Sequence, residues 1–292
     1  MKHLFVVNRF HLKEKSDRII GKLERAAKAG GMEYEIVLHD TLEDANAFAK
    51  TIQNTESVIT AIGGDGYVNR LLNQVAGTKN VLSFIPYGTG NDSYRACTEH
   101  LPDGFHEVDM VRINDRYFIN AACFGIDADI ANDERFIHNR MIPRPMRFNA
   151  GVLYHFLAYR RGRKLKVQWD EETVEKEFTT VVAANSNYYV GGYRISPESD
   201  IRDGRMEVYL VDALPKVNMA RTILSIKKAG HLQNPALRLI RTGKLTISAD
   251  KPFGANIDGE ELIGDRFELE IIPKGMRLFF DHRFIEQINR ES

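Results

Sequence analysis

The first hundred residues alternate between strand-like and helix-like patterns, and this alternation constrains the fold more than any other feature of the chain. Apolar runs with strand character stand at residues 4–7, 34–38, 58–62 and 81–85. The clearest intervening helix has Val68, Leu71, Leu72 and Val75 at i, i+3, i+4 and i+7. This order predicts a doubly wound, mostly parallel sheet. Ligands of such sheets bind beyond the carboxyl ends of the strands.

From about residue 108 the chain is dominated by strand patterns. Asn114-Asp115 predicts a hairpin turn, and later runs at 165–169, 174–183, 206–211, 244–248 and 266–272 alternate as strands do. Two helical insertions are expected at 145–160 and 217–229. We therefore predict an α/β domain over residues 1–112, to which residues 283–292 return, and a β-rich, sandwich-like domain over 113–282. A cleft is expected where the two domains pack.

The charge and the composition of the chain limit which binding partners and which cellular compartment are expected. Forty basic and forty acidic residues give a formal net charge of zero, which argues against a nucleic-acid partner. The two cysteines, Cys97 and Cys123, form no C-x-x-C pair, so a reducing, cytoplasmic compartment is expected. No run approaches the roughly 18 apolar residues of a membrane-spanning helix. The sequence therefore predicts a soluble protein.

Two glycine-rich turns follow neighbouring strands. Residues 63–66 read Gly-Gly-Asp-Gly, and residues 88–91 read Gly-Thr-Gly-Asn. Glycines at a strand-to-helix junction let backbone N–H groups approach a phosphate, and the helix N-terminus adds partial positive charge. A tight turn without a ligand is the alternative for either turn alone. Both turns should open at one edge of the sheet, which favours a phosphate site. The Walker lysine motif is missing, which argues against a P-loop NTPase.

These motifs, with later ones, resemble the diacylglycerol kinase catalytic-domain family in its bacterial soluble lipid kinase branch, which is related to sphingosine kinases and distantly to NAD kinases. Residues 63–70 match the family's G-G-D-G-T-x-N-E in part, and residues 86–92 match its P-x-G-T-x-N-D fully. Residues 258–260 match its D-G-E, and the pairs 191–192 and 203–204 match its second-domain loop. The resemblance spans about residues 4 to 280.

The resemblance implies ATP- and magnesium-dependent transfer of the γ-phosphoryl group to the hydroxyl of a diacylglycerol-like lipid. The first domain would bind the nucleotide, and the second would bind the lipid substrate. By family likeness, the nucleotide-binding residues are Asn8, Thr41, Gly63, Gly64, Asp65, Gly66, Asn69, Gly88, Thr89, Asn91 and Asp92.

Three carboxylates are candidates for the catalytic base. The family's acidic pair near the acceptor falls on Asp258 and Glu260, one of which would take the hydroxyl proton. In the sphingosine kinase relatives the carboxylate of the G-D-G turn has this role, so Asp65 is an alternative. An ordinary Asp-Gly turn is the simpler interpretation of residues 258–259.

The resemblance also implies a structural magnesium site. Asp203 would supply the side-chain ligand, and Asp200 and Arg205 would supply backbone carbonyls. Oxygen ligands in a tight loop suit this hard cation. An ordinary Asp-Gly turn is the alternative here as well.

Three departures from the family pattern keep other functions open. Tyr67 replaces the family threonine, and Arg70 replaces the glutamate. Asn8-Arg9-Phe10-His11 lacks the small residues that follow the first strand in the family. The alternatives are an NAD kinase-like enzyme and a catalytically impaired nucleotide- or lipid-binding protein of the same fold.

One stretch points to a membrane independently of these motifs. Residues 135–166 contain nine Lys or Arg and no Asp or Glu, interleaved with aromatic residues. Such a stretch suits transient binding to an anionic membrane surface, at the inner face of the membrane. A solvated basic helix whose apolar side packs on its own domain is the alternative. A homodimer is compatible with the sequence.

Overall fold

The computed structural model describes residues 1–88, 90–137, 142, 144–159, 162–189, 191–225 and 230–290. The chain divides into two compact units. The first contains Met1–Met110, a short segment around Gly192, and the C-terminal residues from Ile272 onward. The second contains Val111–Tyr189 and Tyr193–Ile271.

The first unit is a parallel sheet, as predicted. Its strands are β1 (Lys2–Asn8), β2 (Tyr34–His39), β3 (Ser57–Gly63) and β4 (Val81–Pro86). They pair in the order β2-β1-β3-β4, and all of these pairs are parallel. Every residue of β3 is buried, which is typical of a central parallel strand covered on both faces.

Helices flank this sheet. They are α1 (Arg9–Leu12), α2 (Lys15–Ala29), α3 (Leu42–Ile52), α4 (Asp65–Val75), α5 (Asp92–His100) and α10 (His282–Arg290). Helix α2 contacts α10, whereas α4 contacts both α3 and α5. The helices thus form two groups, as a doubly wound fold requires.

The boundaries of the two compact units lie two and eleven residues from the predicted ones. The first unit ends at Met110 rather than at residue 112, and the chain returns to it at Ile272 rather than at residue 283. The reason for the early return is β15 (Glu260–Phe280), a long strand whose last residues join the parallel sheet. Leu278 of β15 pairs with Leu82 of β4 in parallel. The pattern at 266–272 shows only the middle of this strand.

The second unit is β-rich and antiparallel. Its strands are β5 (Gly104–Ile113), which begins in the first unit, β6 (Arg116–Phe118), β7 (Ala121–Gly125), β8 (Arg163–Trp169), β9 (Glu172–Ala184), β10 (Tyr188–Tyr189), β11 (Tyr193–Arg194), β12 (Met206–Asp212), β13 (Leu237–Thr242), β14 (Lys244–Ile257) and the first part of β15. Strand β14 pairs with β8 near its start and with β7 near its end. Its register against β15 shifts between Ser248 and Phe253. These long strands enclose an apolar core, which includes Phe124, Phe178 and Phe267.

Helical segments interrupt the second unit. They are α6 (Ile126–Ala131), α7 (Glu134–Ile137), α8 (Arg144–Ala158) and α9 (Lys216–Ser225), followed by a 3-10 helix (Gly230–Gln233). Helices α8 and α9 lie at the two predicted places, whereas α6 and α7 were not predicted from the sequence. Arg160, the last residue of the first predicted insertion, and residues 226–229 of the second lie outside the described residues. Within the described part of the chain, no helix has the length and apolar character needed to cross a membrane.

Candidate functional site

The two glycine turns meet at the carboxyl ends of β3 and β4. Gly63 pairs with Pro86, and the backbone N–H of Tyr87 donates a hydrogen bond to the Gly63 carbonyl at 2.9 Å. A Cβ placed on Gly88 would lie 2.5 Å from the Cα of Gly64, which is closer than real Cβ contacts allow. The backbones of the two turns are therefore packed directly against each other, and residue 88 must be glycine for this approach.

Asp65 joins the first turn to the helix that follows the second. Its Oδ1 accepts a hydrogen bond from the backbone N–H of Ser93 in α5 at 2.9 Å. Asp92, the first residue of α5, accepts from the N–H of Gly191 at 2.7 Å. Burial raises the pKa of Asp92, and the neighbouring Asp65 charge adds to this rise. The carboxylates of Asp65 and Asp92, at the starts of α4 and α5, are therefore close enough for their charges to interact.

Helix α4 begins at the first turn without a side-chain cap. Its N-cap is Gly64, which has no side chain, and the Gly64 carbonyl accepts the N–H groups of Tyr67 and Val68. The N–H groups of the first helical turn carry partial positive charge and suit an anion. Thr89 of the second turn lies outside the described residues.

The predicted nucleotide-binding asparagines and Thr41 make local hydrogen bonds. Asn91 has φ 54° and closes its own turn, accepting from the N–H of Gly88 at 2.8 Å and donating to the Gly88 carbonyl at 2.9 Å. Asn69 is buried and accepts from Asn73 at 3.1 Å. Asn8 is the N-cap of α1, and Thr41 caps α3 through a capping box with Asp44. These side chains shape the turns and helix starts around the glycines.

Tyr67, the residue that departs from the family pattern, points into the unit rather than toward the turn. Its side chain is buried, and its hydroxyl lies 2.7 Å from Nδ1 of His39 at the end of β2. A Cβ on Gly63 would lie 2.9 Å from the Tyr67 ring. The ring therefore occupies the space beside Gly63 and leaves the backbone of the turn intact. Nothing in the sequence indicates this partnership with His39.

Asp258 lies in a tight hairpin turn between β14 and β15. Asp258 and Gly259 both have positive φ, at 47° and 91°, as a type I′ turn requires. The buried carboxylate accepts backbone N–H bonds from Ile119 at 3.0 Å, Asn120 at 3.2 Å and Ala121 at 2.9 Å. Glu260 is only partly buried and pairs with Ile257 across the hairpin. Both oxygens of Asp258 are thus engaged in fixing the start of β7.

The predicted magnesium residues form a compact loop. The N–H of Asp203 donates to the Asp200 carbonyl at 3.3 Å, and the Asp203 Oδ1 accepts from the N–H of Arg205 at 3.0 Å. The Asp200 carboxylate pairs with Arg202 at 3.1 Å. The loop offers oxygen atoms, which are the donors that magnesium prefers. Among the described residues there is no cluster of three or more His, Cys, Asp or Glu that could hold a metal.

Asp127 is a further unusual carboxylate, at the start of α6. Its Oδ1 accepts from the Thr180 hydroxyl at 2.5 Å and from the N–H of Ala128 at 3.0 Å. Burial raises the pKa of Asp127 to about 6. Strongly perturbed carboxylates occur often at functional sites, although structural networks also produce them. The signal in the sequence is the segment Phe124-Gly125-Ile126-Asp127-Ala128, which follows the strand pattern before it.

Comparison with known proteins gives matches over nearly the whole chain. Residues 2–114 match the diacylglycerol kinase catalytic domain, and residues 120–280 match the YegS C-terminal NAD kinase beta sandwich-like domain. A diacylglycerol kinase of Mycobacterium tuberculosis is 26% identical over 279 residues, covering 88% of this chain and 88% of its own length. A diacylglycerol kinase of Bacillus subtilis is 23% identical over 260 residues, covering 82% of each chain.

Solved structures share the fold. A crystal structure of a diacylglycerol kinase from Bacillus anthracis strain Sterne has a TM-score of 0.69 and 17% identity, covering 97% of this chain and 98% of that chain. A second crystal structure from the same strain has a TM-score of 0.73 and 18% identity, covering 97% and 96%. The chain belongs to the diacylglycerol kinase catalytic-domain family, in its bacterial YegS-type branch, and is a phosphotransferase with an alcohol group as acceptor.

Proposed function

We propose that this protein is an ATP- and magnesium-dependent lipid kinase that phosphorylates a hydroxyl of a diacylglycerol-like lipid. The observation that carries the proposal is the direct packing of Gly88 against Gly64 at the carboxyl ends of β3 and β4. Two glycine backbones in contact, next to an uncapped helix start, form a surface to which phosphate oxygens can come close. The names of the relatives support the lipid acceptor.

The nucleotide would be held chiefly by backbone groups. Gly64 and Gly66 bring the N-terminal N–H groups of α4 to the phosphates, and Gly63 and Gly88 allow the close backbone approach. The predicted contacts from Asn8, Thr41, Asn69, Thr89, Asn91 and Asp92 remain part of this proposal. The hydrogen bonds of Asn91 and Asn69 support an indirect role for these two, through the shape of the turn.

The reaction breaks the bond between the γ-phosphorus and the bridging oxygen and forms a bond from that phosphorus to the lipid oxygen. The hydroxyl proton passes to a carboxylate, and ADP leaves. Asp65 and Glu260 are the carboxylates that we propose for the proton. The three N–H bonds to Asp258 support a positioning role for that residue, because its lone pairs already hold the start of β7.

Magnesium would offset the negative charge that develops on the phosphate oxygens during transfer. For a structural ion, the loop of Asp200, Asp203 and Arg205 offers one carboxylate and two carbonyls, and water would complete the coordination of an ion that keeps part of its hydration. These ligand atoms are all oxygens, which is the element that magnesium prefers as a ligand. The Asp203 bond to the N–H of Arg205 holds the carboxylate within the loop.

The direct test is phosphate transfer from labelled ATP to lipid. Purified protein is incubated with magnesium, γ-labelled ATP and a mixed bacterial lipid extract, and the products are separated and identified by mass spectrometry. We expect label in a phosphorylated diacylglycerol-like lipid, lost when magnesium is removed. Formation of labelled NADP in a parallel reaction with NAD would favour an NAD kinase. ATP-dependent thermal stabilisation without any transfer would favour a binding protein.

A further inference from the structure

The first glycine turn needs contacts from its surroundings to keep a single conformation. It contains three glycines, and glycine loses more conformational freedom on folding than any other residue. Gly64 packs against Gly88, and Asp65 accepts the N–H of Ser93. Both contacts join the turn to the segment that follows β4. They leave the support of the turn toward β2 to another group.

The side chain of Tyr67 supplies a contact toward β2. Its ring lies against Gly63, and its hydroxyl lies 2.7 Å from Nδ1 of His39, the last residue of β2. Strand β1 stands between β2 and β3, so β2 and β3 are about 10 Å apart. A tyrosine at the start of α4 reaches across this gap. A threonine hydroxyl, one bond beyond Cβ, would not reach His39 from position 67.

The hydrogen bond between Tyr67 and His39 is buried. Both side chains are buried, and the ring of Phe48 in α3 packs edge-on against the imidazole at 5.1 Å. Burial lowers the pKa of His39, and the opposing influence of the Asp44 carboxylate is smaller. Burial also raises the pKa of the Tyr67 hydroxyl. At neutral pH the imidazole is therefore uncharged and the phenol keeps its proton.

These protonation states set the direction of the bond. The Tyr67 O–H donates to Nδ1 of His39, and Nε2 then carries the imidazole proton. Within the part of the chain that the structure describes, Nε2 has no hydrogen-bond partner. Tyr67 is thus the group that satisfies this ring. A hydrogen bond in such an apolar setting is stronger than one in water, and breaking it leaves a buried polar atom without a partner.

We propose that Tyr67 and His39 are positioning residues for the nucleotide, because their bond holds the first glycine turn in the geometry that receives phosphate. Tyr67 is the third residue of α4, and its own N–H donates to the Gly64 carbonyl. A side chain fixed at this residue therefore fixes the N–H groups that begin the helix. The inference rests on the proposed function, which makes the phosphates of ATP the ligand of this turn.

Two substitutions of His39 separate its hydrogen bond from its packing. Leucine and asparagine have nearly the same shape, but the asparagine Oδ1 takes the place of Nδ1 and can accept the Tyr67 hydroxyl. The variants are His39→Asn, His39→Leu and the double variant Tyr67→Phe with His39→Leu. The double variant removes both partners, so neither is left buried and unsatisfied. The matched control is Tyr159→Phe, which removes a buried tyrosine hydroxyl 2.9 Å from Thr179 in the second unit.

Nucleotide affinity is measured by calorimetric titration with magnesium and a non-hydrolysable ATP analogue, at a temperature where thermal unfolding shows every variant to be folded. We expect His39→Leu and the double variant to bind the analogue roughly three- to ten-fold more weakly than wild type. His39→Asn should recover most of this loss, and Tyr159→Phe should bind as wild type does. In the kinase assay the KM for ATP should rise by the same factor, while the KM for the lipid stays unchanged.

Wild-type affinity in the double variant would overturn the proposal and leave the pair a role in stability alone. An equal loss in His39→Asn and His39→Leu would also overturn it, because the packing of the imidazole rather than its hydrogen bond would then matter. If wild-type protein binds nucleotide and phosphorylates lipid and the variants match it, the proposed function stands and the positioning role falls. Wild-type protein that binds no nucleotide would remove the proposed function, and the positioning role with it.

Discussion

Asp65 Oδ1 accepts the backbone N–H of Ser93 at 2.9 Å, so the aspartate of the first glycine turn binds the start of the helix after the second turn. This bond links α4 and α5 across the place where Gly64 and Gly88 touch. A carboxylate near the N-terminus of a helix also interacts favourably with the helix dipole. Asp65 therefore has a structural role whether or not it accepts a proton from the substrate.

Asp65→Asn separates these two roles. An amide oxygen can still accept the Ser93 N–H, so we expect the free energy of unfolding to fall by no more than about 1 kcal/mol. If Asp65 is the base, turnover should fall by about 10²- to 10⁴-fold. The measurements are lipid phosphorylation and thermal unfolding, with Asp115→Asn in an exposed turn as the control. Full turnover in Asp65→Asn would leave Asp65 with the structural role alone.

Replacement of Asp258 should lower the free energy of unfolding more than replacement of Glu260. Asp258→Ala leaves the N–H groups of Ile119, Asn120 and Ala121 without this acceptor, so the free energy of unfolding should fall by at least about 1 to 3 kcal/mol. Glu260→Gln should change stability by less than about 0.5 kcal/mol. If Glu260 takes the proton, that variant should lose turnover while remaining folded.

Denaturant unfolding and kinase assays on the same preparations make this comparison. Asp258→Asn is the milder variant, since its amide oxygen can still accept a backbone N–H. A stable Asp258→Ala protein would contradict the positioning role. Normal turnover in Glu260→Gln would remove Glu260 as the base.

Gly88→Ala tests the contact between the two turns. The new Cβ would lie 2.5 Å from the Gly64 Cα and 2.9 Å from the Asn91 Oδ1, so the turns must move apart. We expect the variant to lose most of the thermal stabilisation that Mg-ATP gives to the wild type. Gly21→Ala is the control, because a Cβ there meets only the Arg25 side chain at 3.5 Å, an ordinary contact. Unchanged nucleotide stabilisation in Gly88→Ala would argue against phosphate binding at these turns.

The sequence predicted the parallel sheet because periodicity reports which side chains are buried, and burial is set locally by the pattern of apolar residues. The contact of Gly64 with Gly88 followed from the same topology, since the ends of adjacent parallel strands share an edge. The resemblance to the family identified candidate site residues, but it did not predict their hydrogen bonds. The motif does not indicate that the Asn91 side chain hydrogen-bonds to Gly88 of its own turn.

Contacts between residues far apart in the chain could not be predicted from the sequence. Tyr67 looked like the loss of a hydroxyl at the turn, but its partner His39 lies 28 positions away, on β2. Asp258 meets the backbone near residue 120 through a separation of about 138 positions. The continuation of β15 into the parallel sheet was missed for the same reason, because a strand's partners leave no local periodic signal.

Asp127 should make the stability of the fold depend on pH. The folded chain holds the Asp127 proton up to about pH 6, whereas the unfolded chain releases it near the ordinary value of 3.8. The folded state therefore binds more protons between these values, and its stability should fall as the pH rises from about 4 to 6 and stay lower above.

Asp127→Asn carries no such charge, and its amide oxygen can still accept the Thr180 hydroxyl. The variant should gain about 3 kcal/mol in the free energy of unfolding at pH 7 relative to wild type, and little at pH 4. Denaturant unfolding from pH 4 to 7.5 measures this difference, with the exposed Asp265→Asn as the control. A pH profile in Asp127→Asn parallel to that of the wild type would show that the Asp127 carboxylate is not the group that titrates.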